Sequence, residues 1–249
     1  MHISIKAEPI FHTGSFVVTN TLLTSWLVVA LLIIFAFIFS KKIKSIPGRL
    51  QALVEFVIEK FMDFMESFAG SRETMRKFLP LVLTIFIFVL ALNWSGVLPG
   101  VETIGFREVE NGEEIFVPLF RTANSDVNLT LMLALVVVIG SHIVGLRSIG
   151  AKHHAQKFLV NPLKHPIGFF VGILEIVGEF SRIISLTFRL FGNIFAGSVL
   201  MLIISFLAPY IIPIPFLGLE LFVGFIQALV FAVLAMMFMA SATRLHESH

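Results

Sequence analysis

Runs of apolar residues, each long enough to cross a bilayer, alternate along this chain with short polar segments. A spanning helix needs about 20 mostly apolar residues. Four windows meet that requirement: 20–40, 78–98, 127–146 and 214–243. A fifth, 166–209, is as apolar but carries Glu175, Glu179, Arg182 and Arg189. Segment 47–70 has a different pattern. Gln51, Glu55, Glu59, Asp63 and Glu66 fall on one helical face, and Leu, Val, Phe, Ile and Met fill the rest. That is an amphipathic helix lying on the membrane surface. Its polar face is acidic, which leaves two readings, a face for docking another protein or a solvated face.

The pattern therefore predicts an all-α membrane protein with about five membrane-crossing helices and one amphipathic surface helix, in a single integral domain over 1–249. With their flanks, the crossings fall at 20–40, a hairpin of 76–98 and 124–147, and a second hairpin of 164–209 and 214–245. Pro209, Pro213 and Pro215 make the turn of that second hairpin. The 44 residues of 166–209 contain no internal proline. As one helix they reach about 66 Å, twice the hydrocarbon thickness, so this segment is either strongly tilted or broken.

Charge sets the orientation and narrows the class. The chain is 57% hydrophobic and 14% charged, with a mean hydropathy of +0.96; an average soluble protein is about 25% charged. Lys41, Lys42, Lys44 and Arg49 mark the end of the first span as cytoplasmic, and with it an outside N-terminus. Arg72, Arg76 and Lys77, then Arg147, Lys152, Lys157 and Lys164, return the chain to the inside. The loop 99–126 carries Glu102, Glu108, Glu110, Glu113, Glu114 and Asp126 and reads as outside; Arg244 leaves the C-terminus inside. The first span has no charge before its lysines, the order of a retained helix and not of a cleaved leader. A net charge of +2 gives no footprint for nucleic acid, and the absence of cysteine excludes disulfides and thiolate metal sites. His153, His154 and His165 read as loop residues, with no metal or other cofactor implied.

Ionisable side chains inside a span are costly and face protein or water. At about 100° per residue, with Glu175 at zero, Glu179 falls near +40°, Arg182 near −20°, Arg189 near −40° and Asn193 near 0°. All five lie within about 80° of arc and form one stripe. Ser185 sits at its edge. Glu179 and Arg182, at i,i+3, read as a structural ion pair. Arg189 is about 15 Å along the axis from Glu179, the nearest carboxylate of the stripe, and 190–208 carries no charge. Arginine does not release its proton at physiological pH, so Arg189 is a fixed charge and not a relay. The last span offers Glu220 and Gln227 on one face, seven residues apart. Glu220 reads either as a channel group or as a residue snorkelling to the outer interface. A permanent cation with a carboxylate on either side makes two half-paths separated by a barrier, which suits a machine in which another component carries the proton across the gap.

The stretch Ser185-Leu-Thr-Phe-Arg189-Leu-Phe-Gly-Asn193-Ile-Phe-Ala-Gly197 resembles the signature of subunit a of F-type ATP synthases. Pro118-Leu-Phe-Arg121-Thr-Ala-Asn-Ser-Asp126-Val-Asn128-Leu-Thr130 is similar to that family's start of the fourth helix, and Phe225-Ile-Gln227-Ala-Leu-Val-Phe231 to its last-helix motif. The resemblance covers most of the chain from about residue 45 onward. It implies that Arg189 faces the carboxylate of a rotating ring of small two-helix c subunits, with Gln227 and Asn193 beside it. It implies an inner half-channel at Glu175 and Ser185 and an outer one at Glu220. The family's usual ionisable partner of Glu220 is here Ser198, which holds a water but cannot titrate; His142 is either its substitute or a hydrogen-bonded packing residue. Also implied are the peripheral-stalk subunit b as a partner, ATP synthesis coupled to proton flow, no covalent catalysis by this chain, and a bacterial inner membrane. Translocation of sodium in place of protons, or a secondary transporter, are the alternatives; a transporter fold commonly shows paired repeats, and none is visible.

Overall fold

The computed structural model describes residues 8–13, 16–98, 101, 103–110, 113–151, 166–208 and 210–243. Glu102, Pro209 and Arg244, and the segment with Lys152, His153, His154, Lys157, Lys164 and His165, lie outside the described residues. Six α-helices are described: α1 Asn20–Lys41, α2 Arg49–Ala69, α3 Arg72–Ser95, α4 Val127–Ile149, α5 Pro166–Leu207 and α6 Pro213–Ala242. All but α2 are long and apolar enough to cross a membrane. The chain is thus an all-α integral membrane protein in which α2 is the amphipathic element. α5 is one uninterrupted helix of 42 residues. At about 1.5 Å per residue it spans about 63 Å, too long to stand upright in a bilayer.

The helix ends follow local chemistry. Thr19, Ser71 and Asp126 cap α1, α3 and α4 by accepting from the backbone N–H of Leu22, Thr74 and Asn128, which satisfies donors that the first turn leaves open. Gly70 ends α2 at φ 80°, the left-handed region that favours glycine. Pro213 and Pro215 sit in the first turn of α6, where a missing N–H costs nothing.

Packing in lipid relies on close fit, because association of apolar helices gains little from hydrophobicity there. The buried residues of α3, Met75, Phe78, Val82, Ile85, Val89 and Leu92, alternate in steps of three and four, the spacing of a helix–helix seam. On α6, Gly224, Ala228, Ala232, Met236 and Ala240 form a buried row with a period of four, and four of the five are small. α3 and α6 pack against each other, α4 lies on α5 and α6, and α2 buries Phe61, Met65 and Ala69 beside α3 and α6. α5 contributes Leu186, Leu190 and Ile194, a narrow edge, to the buried set.

Two β-hairpins depart from the all-helical expectation: β1 Pro9–Thr13 with β2 Phe16–Thr19, and β3 Gly105–Glu110 with β4 Glu113–Pro118. Both lie in segments where no apolar period of helical length exists. They share one end of the bundle with the starts of α1 and α4. There Asn20 Nδ2 donates to Pro118 O at 3.3 Å, Thr21 Oγ1 to Asp126 Oδ2 at 3.0 Å, and the Arg121 N–H to Thr24 Oγ1 at 3.2 Å. At the opposite end Lys77 Nζ donates to Ser148 Oγ at 3.3 Å, joining the start of α3 to the end of α4.

Gly96, just past α3, packs so closely on the buried Thr122 that an added Cβ would overlap the threonine Oγ1. Gly96→Ala is expected to destabilise the detergent-solubilised chain by about 1–3 kcal/mol, the usual cost of overpacking. Thermal unfolding checks this, and Gly96→Ala/Thr122→Ala should recover part of the loss.

Candidate functional site

The polar stripe lies on α5, and the structure divides it into a compensated part and an uncompensated one. Arg182 NH1 donates to Glu179 Oε1 at 2.5 Å. Glu179 is the more buried partner of the two. The Arg182 guanidinium lies 5.0 Å from the centroid of the Phe238 ring on α6, within cation–π range. Arg189 is exposed, and its NH2 donates to Ser185 Oγ at 3.4 Å, one turn earlier. Among the described residues no carboxylate comes within ion-pair distance of it. Phe180, Ile184 and Phe188 are also exposed on α5. Only 11% of the apolar window of α5 is buried, against 39% for α3, α4 and α6, so the face around Arg189 is left for lipid or another chain.

Glu220 and Asn193 come together. Both line a cavity of about 210 Å³ between α5 and α6, with Gly197, Met201, Phe216 and Gly224 among its walls. A Cβ on Gly197 would sit 3.2 Å from Glu220 Oε1, so the glycine makes room for the carboxylate. Ser198 is next in sequence but donates to Ile194 O of its own helix at 3.1 Å and is not part of the cavity wall. His142 sits elsewhere: its Nε2 is 3.6 Å from Glu179 Oε2, which groups it with the Glu179–Arg182 pair and away from the Glu220 cavity. Glu175, half-buried on α5, lies one turn before Glu179.

Gln227 is buried, and its Nε2 makes no hydrogen bond. One turn earlier, the Gly224 carbonyl accepts from Asn93 Nδ2 at 2.9 Å, and Asn93 Oδ1 accepts from Asn124 Nδ2 at 2.7 Å. Asn124 Oδ1 is left open. Trp94 Nε1 donates to Leu221 O at 3.0 Å. This amide chain links α3, the 3-10 turn Ala123–Ser125 and α6 within a turn of Gln227. The sequence reading missed Asn93 and Asn124. Asn93 carried a legible signal, since an amide inside an apolar span needs a partner; Asn124, in a polar loop, carried none.

The family model of the ATP synthase A chain matches residues 22–240. ATP synthase subunit a of Geotalea daltonii is 35% identical over 227 residues, 90% of this chain and 87% of that one. The Trichlorobacter lovleyi subunit a is 31% identical over 249 residues, 99% and 96% of the two chains. The chloroplastic subunit a of Stigeoclonium helveticum is 38% identical over 216 residues, 87% and 81%.

Asn93→Leu removes a donor and an acceptor at once: it leaves the Asn124 amide N–H open in the interior and takes from the Gly224 carbonyl the bond that joins α3 to α6. A loss of about 1–3 kcal/mol per stranded group is expected. Unfolding in detergent should show it.

Proposed function

The chain belongs to the ATP synthase A chain family, and from that premise we propose that it is the stator channel of the membrane sector of a rotary ATP synthase. It carries protons through two half-channels to and from a rotating ring of small two-helix subunits and couples that flow to ATP synthesis. The observation that carries the reading is Arg189. It is an exposed guanidinium on the least buried spanning helix, with a serine hydroxyl as its neighbour and no carboxylate from the described residues. An unpaired arginine in a membrane costs about 2.5–3.5 kcal/mol on insertion scales, so a partner carboxylate from another chain accounts for its position.

The steps follow from charge. Protons reach the outer path through the cavity that Glu220 and Asn193 line, with Ser198 near it and the open amides of Gln227 and Asn124 as further hydrogen-bonding groups. They neutralise a rotor carboxylate, which then enters lipid without the cost of a bare charge. After nearly a full turn the carboxylate meets the inner path at Glu175 and Ser185 and releases its proton. The anion next passes Arg189, whose fixed charge favours the deprotonated form and blocks a proton from moving straight between the half-paths. The driving force is about 2.3 kcal/mol per charge per 100 mV. The chain forms and breaks no covalent bond. His142 falls with Glu179 and Arg182 and outside the outer path in this reading.

The clustered Lys and Arg residues at one end support a cytoplasmic side there by the positive-inside rule, a reading that puts the N-terminus and both β-hairpins outside. The partners are the rotor ring and the peripheral-stalk subunit b, in a bacterial inner membrane. The exposed acidic side chains Glu55, Glu59 and Asp63 of α2 supply a polar face for docking at the inner surface.

Arg189→Ala is expected to abolish ATP-driven proton pumping in membrane vesicles that retain the assembled complex; coupled pumping at the parent level sinks the mechanism. Arg189→Lys should fall well short of the parent, because lysine can lose its proton when buried and arginine cannot.

A further inference from the structure

Two arginines share the stripe on α5, and only one keeps an uncompensated charge. Arg182 and Arg189 are seven residues apart, about 10 Å along the axis and about 20° around it, so both lie on the side of the helix assigned to the rotor. Arg182 is tied to Glu179 Oε1 and lies over Phe238 of α6. Arg189 contacts the neutral hydroxyl of Ser185. Glu179 makes the difference, and α4 holds Glu179. Its Oε2 is buried and makes no hydrogen bond, and the polar group facing it is His142 Nε2 at 3.6 Å. Four side chains from α4, α5 and α6 thus form one row at a single level of the bundle.

We propose that Glu179 and His142 are positioning residues for the proton-transfer step: they neutralise Arg182 and hold it against α6, so that a passing rotor carboxylate meets a single net cation, Arg189. The inference rests on the reading in which Arg189 faces rotor carboxylates. Glu179 cancels the Arg182 charge, and the Phe238 ring gives the guanidinium a face to rest on away from the stripe. His142 Nε2, 3.6 Å from Oε2 across the α4–α5 boundary, braces the carboxylate from behind. Without Glu179, Arg182 would be a second free guanidinium on the inner side of Arg189. It would capture the rotor carboxylate early, and rotation would stall between two cations. Breaking a buried pair by removing one partner leaves the other charge uncompensated, whereas removing both restores balance. That asymmetry makes the idea testable.

The experiment measures ATP-driven proton pumping in inverted membrane vesicles, divided by the amount of fully assembled complex. Glu179→Gln is expected to lose most of its pumping per complex, and Glu179→Gln/Arg182→Gln to regain most of the parent level, because the stray cation is gone. His142→Ala should give a smaller loss that His142→Gln, which keeps an N–H donor, reverses. Glu179→Gln pumping at the parent rate per complex overturns the proposal, and so does a loss that Arg182→Gln does not relieve. If Glu179→Gln fails to assemble, His142→Ala against His142→Ala/Arg182→Gln makes the same comparison with the same two outcomes. Arg189→Ala in the same vesicles separates the levels. Retained pumping there defeats the functional reading itself, while its loss beside a normal Glu179→Gln defeats only this inference.

Discussion

A guanidinium keeps its proton even in a low-dielectric setting, so the structure around Arg189 has to accommodate a permanent charge. Much of the fold reads as a response to that. α5 is held along a narrow edge, Leu186, Leu190 and Ile194, at intervals of four residues. The flanking Phe188 and Arg189 are exposed. A helix gripped on one edge presents a fixed cation at a set height while much of the rest of its circumference stays open to lipid or another chain. The neutral Ser185 hydroxyl orients the guanidinium without cancelling it. A carboxylate in the same place would have tied up the charge, as Glu179 does for Arg182.

A grip that narrow works only if the supporting helices do not rotate or slide. In lipid, exact fit and internal hydrogen bonds replace the hydrophobic drive between helices. The row of small residues on α6 lets α3 approach closely, and two side chains of α3 reach the α6 backbone itself: Trp94 at Leu221 O and Asn93 at Gly224 O. Those carbonyls lie between Glu220 and Gln227 in sequence, so the rotation of α6 is pinned at the level where its polar residues are needed. The end of the bundle that carries the hairpins is tied again through Asn20, Thr21 and Thr24, which connect α1 to the start of α4 and the loop before it.

The spans were legible because their signal is length and apolarity, and the stripe was legible because a 3.6-residue period needs no neighbour to define it. Arg189, Asn193, Glu175 and the Glu179–Arg182 pair could all be placed on one helix from spacing alone, and the family motif supplied the proposed roles. What escaped was whatever depends on which helices touch. Glu179 and Glu220 both lie on helices other than that of His142, so its sequence position could not distinguish the one from the other. Asn93 and Asn124 are 31 residues apart and meet only because the 3-10 turn folds back over the end of α3. The hairpins escaped for a different reason: each pairs strands of only four to six residues, where neither a helical nor a strand period extends far enough to be read.

The same geometry sharpens what Ser198 can do. Its hydroxyl is occupied by the Ile194 carbonyl of its own helix, so it offers lone pairs and no spare donor. Glu220 is then the one titratable side chain among the described residues that line the cavity. It occupies the space that Gly197 vacates by having no side chain. Gly197 therefore acts as more than a packing residue. A larger side chain there would displace Glu220 or narrow the cavity, and either change would act on the one titratable side chain among the described residues that line it. The cavity thus sets a small residue and an acidic one facing each other across α5 and α6, a complementarity of volume and charge that neither helix reveals by itself.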